Sequence, residues 1–386
     1  MIYLDSAATT QISDSVFNAM LPWLRDGYGN PGSSHRKGRE ALEAVEKARE
    51  QVAGLFRAAP ENIVFTSGGS EGNNFAILNA AEQMRAAGKH HIIVSSVEHD
   101  SVLRAAESLT KYGFYITYLP VCSGGSVRIE TLKKAITPET GLISIMYVNN
   151  ETGTINLIDE IGKLCEENDI IFHTDCVQAA GFLDIDVRKI KCDFATMSAH
   201  KIHGPKGVGC VYVKDPKYCV PLINGGHSQE LGLRGGTENV PGIVGFGQAA
   251  ENAIASISDV QYKMWNYRTL FWERLVSELG GSISLNGQWF APCKILNIRF
   301  DGIDASSLML LLDSMDICVS TGSACRSHEL SPSRTLKAMG LTDDEASSSI
   351  RFSFSNMISE DDVSAAATMV VWCVNMLRRG YHDFEE

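Results

Sequence analysis

The chain has 386 residues, of which 44% are hydrophobic, and it carries 34 Lys and Arg against 46 Asp and Glu, a formal net charge of -12. This length is enough for a large core and for more than one domain. A negative charge without a basic run disfavours direct binding to nucleic acid or to an anionic membrane. The chain begins without the pattern of a signal peptide and has no apolar stretch long enough to span a bilayer, so we expect a soluble cytoplasmic protein.

The 10 cysteines are scattered and include no C-x-x-C pair. This spacing disfavours a structural zinc site and a disulfide scaffold. Cys165, Cys210 and Cys373 have apolar neighbours in the sequence and are expected to be buried and unreactive. Cys325 differs, because it lies in a small and polar segment, Ser320–His328. Exposed thiols invite oxidation, so we expect Cys325 to have a use, and an idle exposed thiol is the alternative.

Apolar β-branched runs alternate with segments of helical period as far as Asn239. This alternation predicts an α/β fold with a largely parallel sheet, and the short connections suit crossover units. The predicted strands are Asn62–Phe65, His91–Ser95, Tyr115–Leu119, Leu142–Val148, Ile170–His173, Phe194–Met197 and Val208–Val213. The predicted helices between them are Ala41–Phe56, Phe75–Ala87, Val102–Lys111 and Asp159–Glu167.

The pattern changes after Asn239, where two helices follow each other without a strand between them. The elements predicted there are helices Pro241–Ile257 and Gln261–Leu279, strand Lys294–Phe300, helix Ala305–Asp313, strand Ser349–Phe354 and helix Glu360–Arg379. This order indicates a second, smaller α+β domain. We expect a large domain over residues 13–257 and a small domain formed by residues 1–12 and 258–386, with the cysteine loop at about 320–335.

Polar side chains follow several predicted strands directly, among them His99, Asn150, Asp175 and Lys201. Ligands of open α/β sheets bind at the carboxyl ends of the strands. A carboxylate suits the pyridine nitrogen of pyridoxal phosphate, and a lysine suits its aldehyde, with which it forms a Schiff base. Each of these residues alone has a merely structural alternative. Their coincidence at several strand ends favours a cofactor site.

Two glycine-rich stretches are candidates for phosphate binding. Gly68-Gly69-Ser70 leads from a strand into a helix, whose N-terminal N–H groups and dipole attract anions. The alternative is an ordinary helix start with Ser70 as the N-cap. The second stretch, Gly225–Asn239, offers hydroxyl and backbone donors for phosphate, or it is a surface turn.

Arg351 lies within a predicted strand between Ile350 and Phe352. An arginine in such a place is costly unless it is paired, and its planar fork suits a substrate carboxylate. An internal salt bridge with one of the many acidic residues is the alternative.

Motifs along nearly the whole chain resemble cysteine desulfurases of the NifS/IscS type, which are class V aminotransferases of the fold-type-I group of pyridoxal phosphate enzymes. The matching motifs are Tyr3–Thr10, Gly29–Ser33, Val148–Gly153, Ser198–Lys201, Arg234–Thr237, Ser320–Cys325, Leu336–Leu341 and Ser348–Ser353. The lysine motif is typical of the superfamily. The cysteine motif followed by Ser-Ile-Arg-Phe-Ser is typical of the subgroup with a long, mobile cysteine loop.

The resemblance implies a catalytic role for several residues. Lys201 would form the Schiff base with pyridoxal 5'-phosphate and move the α-proton of the substrate. Asp175 would hold the pyridinium nitrogen protonated, Gln178 would bind the ring oxygen, and His99 would stack on the ring. Cys325 would attack the sulfur of L-cysteine, which releases alanine and leaves a persulfide on Cys325.

The resemblance also implies binding roles. Four residues would hold the phosphate, the last of them from the partner subunit: Ser70, Ser198, His200 and Thr237. Arg351 and Asn150 would bind the carboxylate of L-cysteine, with Asn150 also beside the cofactor. No resident metal is implied, and Cys325 is the candidate for transient ligation of an iron–sulfur cluster.

The implied architecture is a mixed, mostly parallel seven-stranded sheet flanked by helices, with a small C-terminal domain, in a homodimer. The chain ends without the longer tail by which the housekeeping member docks its iron–sulfur scaffold. We therefore expect a dedicated sulfur-acceptor protein, either in iron–sulfur cluster assembly or in nucleic-acid thio-modification such as DNA phosphorothioation.

Two alternatives remain open on the sequence. An aminotransferase or a selenocysteine lyase on the same fold would need Lys201 and Asp175 but not Cys325. A non-catalytic partner protein could keep the fold and lose turnover, although the joint presence of Lys201, Asp175, Cys325 and Arg351 disfavours that alternative.

Overall fold

The computed structural model describes residues 1–226, 229–291, 293–322 and 332–382. Its strands are β1 Ile2–Tyr3, β2 Ile63–Thr66, β3 His91–Ser95, β4 Tyr115–Leu119, β5 Thr140–Ser144, β6 Ile171–Asp175, β7 Phe194–Ser198, β8 Gly209–Val213, β9 Ile283–Asn286, β10 Ile295–Phe300, β11 Ile317–Cys318 and β12 Ser349–Ser353. Its helices are α1 Asp14–Arg25, α2 Arg36–Phe56, α3 Gly69–Ala86, α4 Asp100–Ser108, α5 Ile129–Ala135, α6 Ile158–Glu167, α7 Val187–Ile190, α8 Val240–Leu279, α9 Ala305–Ser314, α10 Arg334–Ala338, α11 Asp343–Ser347 and α12 Glu360–His382. Within the described residues, no helix combines the length and the apolar character needed to cross a membrane.

The central sheet has seven strands in the order β2-β8-β7-β6-β5-β3-β4. The pairs from β4 through β3, β5 and β6 to β7 are parallel. Strand β8 runs antiparallel to both of its neighbours, β7 and β2. The sheet is therefore the mixed, mostly parallel α/β sheet that the sequence predicted. The parallel strands end at one common edge, where their trailing loops meet.

Both faces of this sheet are covered, as expected for parallel strands. On β3, Ile92 and Val94 belong to the core cluster formed with α3 and α4, whereas Ile93 belongs to the cluster that includes α2 and α8. Successive side chains of a strand point to opposite faces, so this division follows from the strand period. The burial of both faces explains why successive residues in the middle of β3 are all apolar.

Helix α8 corrects one prediction from the sequence, because Val240–Leu279 is one helix of 40 residues instead of two. The sequence suggested a break near Ser258 and Asp259, which are residue types that often begin helices. However, neither Pro nor Gly stands there to end the preceding helix, and the backbone continues. At 1.5 Å per residue the helix is about 60 Å long. It packs against α1, α2 and α12 and runs through the predicted boundary at residue 257.

The C-terminal part contains an antiparallel sheet of the order β12-β10-β9. The first residues of the chain join this part, because β1 pairs with β11 and the Leu4 carbonyl accepts a hydrogen bond from the Ser353 N–H at 2.7 Å. Ser6 in turn donates its N–H to the Ser353 carbonyl. The residues that follow Ser6 are thereby led to the edge of the central sheet.

Several element bounds differ from the predictions. Strand β5 ends at Ser144 instead of Val148, although the Tyr147 N–H still bonds the Asp175 carbonyl at 3.0 Å. Helix α1, with Pro22 in its last turn, and strand β9 had not been predicted. These are short or irregular elements, whose patterns are weak in the sequence.

Candidate active site

A cleft of about 180 Å³ lies at the carboxyl edge of the central sheet. Nine of the predicted site residues line it: Ser70, His99, Asn150, Asp175, Gln178, Ser198, His200, Lys201 and Arg351. Thr237 is exposed and does not line the cleft of its own chain. Cys325 lies outside the described residues. Residues at the ends of five strands of the central sheet converge on one cleft, as their positions after the strands predicted, and Arg351 joins them from β12.

Asp175 is the last residue of β6, and only 5% of it is exposed. Its carboxylate accepts two hydrogen bonds, one from the Val177 N–H at 2.9 Å and one from the Asn73 amide at 2.7 Å. The two bonds use one carboxylate oxygen each, so they fix the plane of the group at the wall of the cleft.

Asn73 is a site residue that the sequence interpretation missed. It is fully buried on α3, lines the cleft, and donates a second bond to the Ser101 hydroxyl at 2.9 Å. That hydroxyl bonds His99 Nδ1 at 2.7 Å. Asn73 therefore connects Asp175 to His99. No pattern marked it, because the predicted helix began at Phe75 whereas α3 begins at Gly69.

Lys201 ends a short 3₁₀ turn that follows β7. Its amine donates to the backbone carbonyls of Ala7 at 2.6 Å and Ala8 at 2.7 Å. The N-terminal segment is itself held to this turn, because the Thr10 hydroxyl donates to the His200 carbonyl at 2.9 Å. A segment about 190 residues away in the sequence therefore positions the amine, and no local pattern could have predicted that.

The N-terminus of α3 forms one end of the cleft. Gly68 precedes the helix with φ 155° and ψ -176°, a backbone conformation that is essentially restricted to glycine. A Cβ atom at Gly69 would lie 2.9 Å from Val177 Cγ2. The helix begins at Gly69, so Ser70 lies in its first turn and is not the N-cap. The free N–H groups of this turn face the cleft beside Ser70 and the buried Ser198.

His200 lies at the same end of the cleft, and its Nδ1 lies 3.1 Å from the Thr9 hydroxyl. Burial, together with the nearby Lys201, lowers the pKa of His200 to about 4. The imidazole is therefore neutral at physiological pH and acts as a hydrogen-bonding group, not as a cation.

Gln178 is buried and donates its amide to the Ala7 carbonyl at 2.8 Å. Its Oε1 is also buried and has no hydrogen-bond partner in the described part of the chain. A buried amide oxygen without a partner costs about 1–3 kcal/mol. Because Gln178 lines the cleft, an occupant with a donor, or one that reorients the amide, would relieve this cost.

Arg351 satisfies both interpretations of the sequence. Its guanidinium is buried, donates to Asp5 at 2.7 Å and donates to the Asn150 carbonyl at 2.9 Å. The internal salt bridge therefore exists, and the same side chain lines the cleft. Its Nε is buried and has no partner among the described residues. The group is thus already arranged to bind a carboxylate at this site.

Glu98, which precedes His99, is a second residue that the sequence interpretation did not single out. It is 1% exposed, and its Oε1 accepts bonds from the Ser95 hydroxyl at 2.6 Å and the Met146 N–H at 2.8 Å. Burial raises the pKa of Glu98 to about 8. The carboxyl is therefore protonated at neutral pH, which agrees with an Oε2 that has no acceptor or donor among the described residues.

Among the other cysteines, Cys165, Cys210 and Cys373 are buried, as predicted. Burial raises the pKa of the Cys210 thiol well above its usual value. Such thiols are poor nucleophiles, because the reactive species is the thiolate.

Comparison with known proteins identifies the family. The model of the family described as Aminotransferase class-V matches residues 2–366. The chain belongs to this family. A cysteine desulfurase IscS from Dictyoglomus turgidum is 43% identical over 98% of this chain and 95% of its own length. The family and the class of relatives are those that the sequence motifs predicted.

Two solved structures agree with this class V assignment. A NifS-like protein has a TM-score of 0.90 and 35% identity, covering 97% of this chain and 99% of its own. A structure described as SspA in complex with cysteine has a TM-score of 0.79 and 37% identity, covering 92% and 99% of the two chains. The predicted fold, the NifS-like fold of pyridoxal phosphate enzymes, is therefore confirmed.

The class V cleft fits a phosphorylated pyridine. A buried carboxylate, Asp175, lines it together with the first turn of α3 and Lys201. These are the partners that a pyridinium nitrogen, a phosphate and an aldehyde require. The unsatisfied Gln178 Oε1 also marks a place where an occupant is expected.

Proposed function

We propose that this protein is a pyridoxal phosphate-dependent cysteine desulfurase, which converts L-cysteine to L-alanine and keeps the sulfur as a persulfide on Cys325. The observation that supports this most strongly is the convergence of Asp175, Lys201 and Arg351 on one cleft. The first two suit the cofactor, and the third suits the carboxylate of an amino acid. The cysteine desulfurase among the curated relatives points to the same reaction.

In this proposal the chain's own residues hold the cofactor at both ends. Asp175 binds the ring nitrogen, Gln178 binds the ring oxygen, and His99 stacks on the ring. Ser70, Ser198 and His200 contact the phosphate, helped by the dipole of α3. The bound cofactor supplies an electron sink for bonds that break next to the substrate α-carbon. His200 suits a phosphate contact as a neutral donor, since its pKa is lowered to about 4 by burial.

Arg351 and Asn150 orient the substrate. The guanidinium already binds the carboxylate of Asp5 in a buried place, and its contacts with Asp5 and Asn150 use two of its five N–H groups, so it can hold a second carboxylate. The Asn150 carbonyl fixes the guanidinium from the other side at 2.9 Å. This arrangement selects a substrate with a free α-carboxylate.

The sulfur step balances without an external oxidant. The thiolate of Cys325 attacks the substrate sulfur, a new S–S bond forms, and the C–S bond of the substrate breaks. The carbon skeleton gains a proton and leaves as alanine. Lys201, with its amine at the carbonyls of Ala7 and Ala8, is the group that moves protons at the α-carbon.

The decisive experiment compares wild type with Cys325→Ala. We expect the wild type to release alanine and to gain one sulfur atom on Cys325, and the variant to release almost no alanine. A selenocysteine lyase or an aminotransferase would keep its activity in the variant. Full production of alanine and sulfide from L-cysteine by Cys325→Ala would therefore contradict the proposal.

We also propose a cytoplasmic homodimer in which Thr237 completes the phosphate site of the partner subunit. Its position supports this, because Thr237 is exposed and does not line the cleft, while the neighbouring Arg234 bonds Glu71 in the first turn of α3 at 3.0 Å. Sedimentation at equilibrium tests the assembly, and a monomer at micromolar concentration would contradict it.

The sulfur acceptor in this proposal is a protein that serves iron–sulfur cluster assembly or nucleic-acid thio-modification such as DNA phosphorothioation. The net charge of -12 favours transfer through a protein over direct contact with nucleic acid. Labelled sulfur should pass from Cys325 to a co-purifying protein. Passage only to the general iron–sulfur scaffold, with normal affinity, would exclude the dedicated thio-modification acceptor.

A further inference from the structure

Three consecutive residues, Ser333, Arg334 and Thr335, form polar contacts with residues that flank Asn150 and His99 of the cleft. We call these three residues the anchor. They lie shortly after the segment that contains Cys325. The hydroxyls of Ser333 and Thr335 both donate to the carboxylate of Glu151, at 2.5 Å and 3.0 Å, one to each oxygen. A single carboxylate thus holds the first and the third residue of the anchor.

The middle residue of the anchor contacts a neighbouring loop, the one that follows β3. Arg334 donates to the Glu98 carbonyl at 2.6 Å, and its guanidinium lies 3.3 Å from the Asp100 carboxylate. Glu98 and Asp100 are the two residues that flank His99. The anchor therefore spans from the loop that carries Asn150 to the loop that carries His99.

Glu151 is well placed to serve as a fixed point. It is 7% exposed and follows Asn150 directly. Its N–H donates to the Asn149 side chain at 2.9 Å, and its carbonyl accepts from the Asn297 amide at 3.2 Å. Backbone and side chain are thus both held. A buried carboxylate is costly without donors, so its two hydroxyl partners are strongly favoured.

The upstream end of the same segment also passes this carboxylate. A Cβ atom at Gly322 would lie 3.6 Å from Glu151 Oε2. Ser320 is fixed beside it, because its N–H and carbonyl bond the backbone of Arg351 at 3.3 Å and 2.7 Å. Gly322 and Ser333 therefore both lie close to the carboxylate of Glu151.

We propose that Glu151 and Arg334 are positioning residues for sulfur transfer, which fix the chain just after the Cys325 segment to the loops that carry Asn150 and His99. This inference rests on the proposed function. The eight residue-to-residue steps from Cys325 to Ser333 span at most about 29 Å when extended, so a fixed anchor limits how far the thiol can be from the substrate. Confinement raises the effective concentration of a tethered reactant without any new contact to it.

The test separates substrate binding from persulfide formation, with the holoenzyme of Glu151→Gln and of the double variant Ser333→Ala/Thr335→Val. The product L-alanine, followed by the absorbance of the bound cofactor, should bind each variant within about twofold of wild type, whereas persulfide formation on Cys325 in a single turnover should slow by about tenfold or more. The matched control is Ser359→Ala, which removes a hydroxyl–carboxylate contact with Asp362 at 2.7 Å far from the cleft.

Each outcome either supports or overturns the proposal. Persulfide formation at the wild-type rate in both variants would overturn the proposal. Equal losses of alanine binding and persulfide formation would also overturn it, because Glu151 would then act on the cleft through Asn150. Should Glu151→Gln fail to fold, the double variant, which changes only the anchor, carries the test alone. A wild-type protein that forms no persulfide would instead reject the proposed desulfurase function.

Discussion

At the scale of single residues, Asp175 depends on a partner that the sequence did not reveal. Replacing Asn73 by Leu leaves the carboxylate with the Val177 N–H alone. Loss of a hydrogen bond to a charged group costs about 1.5–3 kcal/mol, so we expect the dissociation constant of pyridoxal phosphate to rise by about 10- to 100-fold. An absorbance titration of the apoenzyme measures it.

The control for this prediction is Asn79→Leu. Asn79 is also buried on α3 and bonds the Val220 backbone, but it does not line the cleft. Both variants should lose stability, and only Asn73→Leu should lose cofactor affinity. Equal affinities in the two variants would contradict the assigned role of Asn73.

Glu98 provides a prediction on pH. Its pKa is raised by burial from 4.5 to about 8, so the folded protein binds more protons than the unfolded chain between these values. Its contribution to stability is therefore complete below about pH 4.5 and is lost as the pH rises through about 8. Glu98→Gln mimics the protonated acid and should unfold with about the same free energy as wild type at about pH 4, but be more stable by roughly 5 kcal/mol at about pH 9.

Urea unfolding at several pH values tests this prediction. The control is Glu61→Gln, which changes an exposed glutamate and should leave the pH profile as it is. A profile that is identical in wild type and Glu98→Gln would show that Glu98 is ionised in the folded protein at neutral pH.

The residues with chemistry of their own could be predicted from the sequence, because strand ends and motifs mark them. Their partners could not. Asp5 and Arg351, or Ala7 and Lys201, are more than 190 residues apart, and no local pattern relates them. Burial of the carboxyl of Glu98 depends in the same way on contacts between distant elements.

At the scale of elements, the start of α3 forms the part of the cleft that we propose binds the phosphate. Gly68 has φ 155°, and a side chain there costs about 1–3 kcal/mol in backbone strain. We expect Gly68→Ala to lower the free energy of unfolding by that amount and to weaken cofactor binding, because the first N–H groups of the helix would shift. Urea unfolding and cofactor titration measure the two effects.

Gly88→Ala is the matched control for this element. Gly88 follows the other end of α3 with φ 70°, and a Cβ atom there would meet nothing within 4 Å. This variant should lose stability through strain alone and bind the cofactor normally. A loss of affinity in the control, or none in Gly68→Ala, would contradict the role given to the start of α3.

The elements differ in how well their patterns predict them. The strands of the central sheet were found because both of their faces are apolar and their ends are polar. Helix α8 was wrongly predicted as two helices with a gap at residues 258–260, whereas the structure has one helix that packs against α2 and α12. Strands β9 and β11 have 4 and 2 residues, too few for a period to be visible.

At the scale of the whole molecule, the proposed dimer makes a prediction about shared sites. Thr237→Glu places a negative charge at the proposed phosphate contact, and Lys201→Ala removes the amine, so each variant alone should be inactive. In a mixed dimer, one site would combine the intact Lys201 of one subunit with the intact Thr237 of the other. Refolding an equal mixture should therefore restore about a quarter of the wild-type activity.

The outcome of this mixing experiment distinguishes two arrangements. If Thr237 served its own chain, the mixture would stay inactive. Wild type mixed with Lys201→Ala is the control. Its activity should be proportional to the fraction of sites in which both Lys201 and Thr237 are intact.

The overall architecture follows from the alternation of strands and helices, and the family was recognisable from motifs along the whole chain. The contribution of the N-terminal residues to the site could not be predicted in this way. The first ten residues pair with β11 and β12 and then supply the carbonyls that hold Lys201. Such a route depends on the packing of both ends of the chain, which sequence patterns do not encode locally.

The central claim is that Lys201 and Cys325 act on the same molecule of L-cysteine. A single turnover with sulfur-labelled L-cysteine tests it most directly, with the alanine quantified and the label located by peptide mass spectrometry. The account predicts one labelled sulfur on Cys325 for each alanine released, and neither product with Lys201→Ala. Alanine released without label on Cys325, or at the full rate by Cys325→Ala, would contradict it.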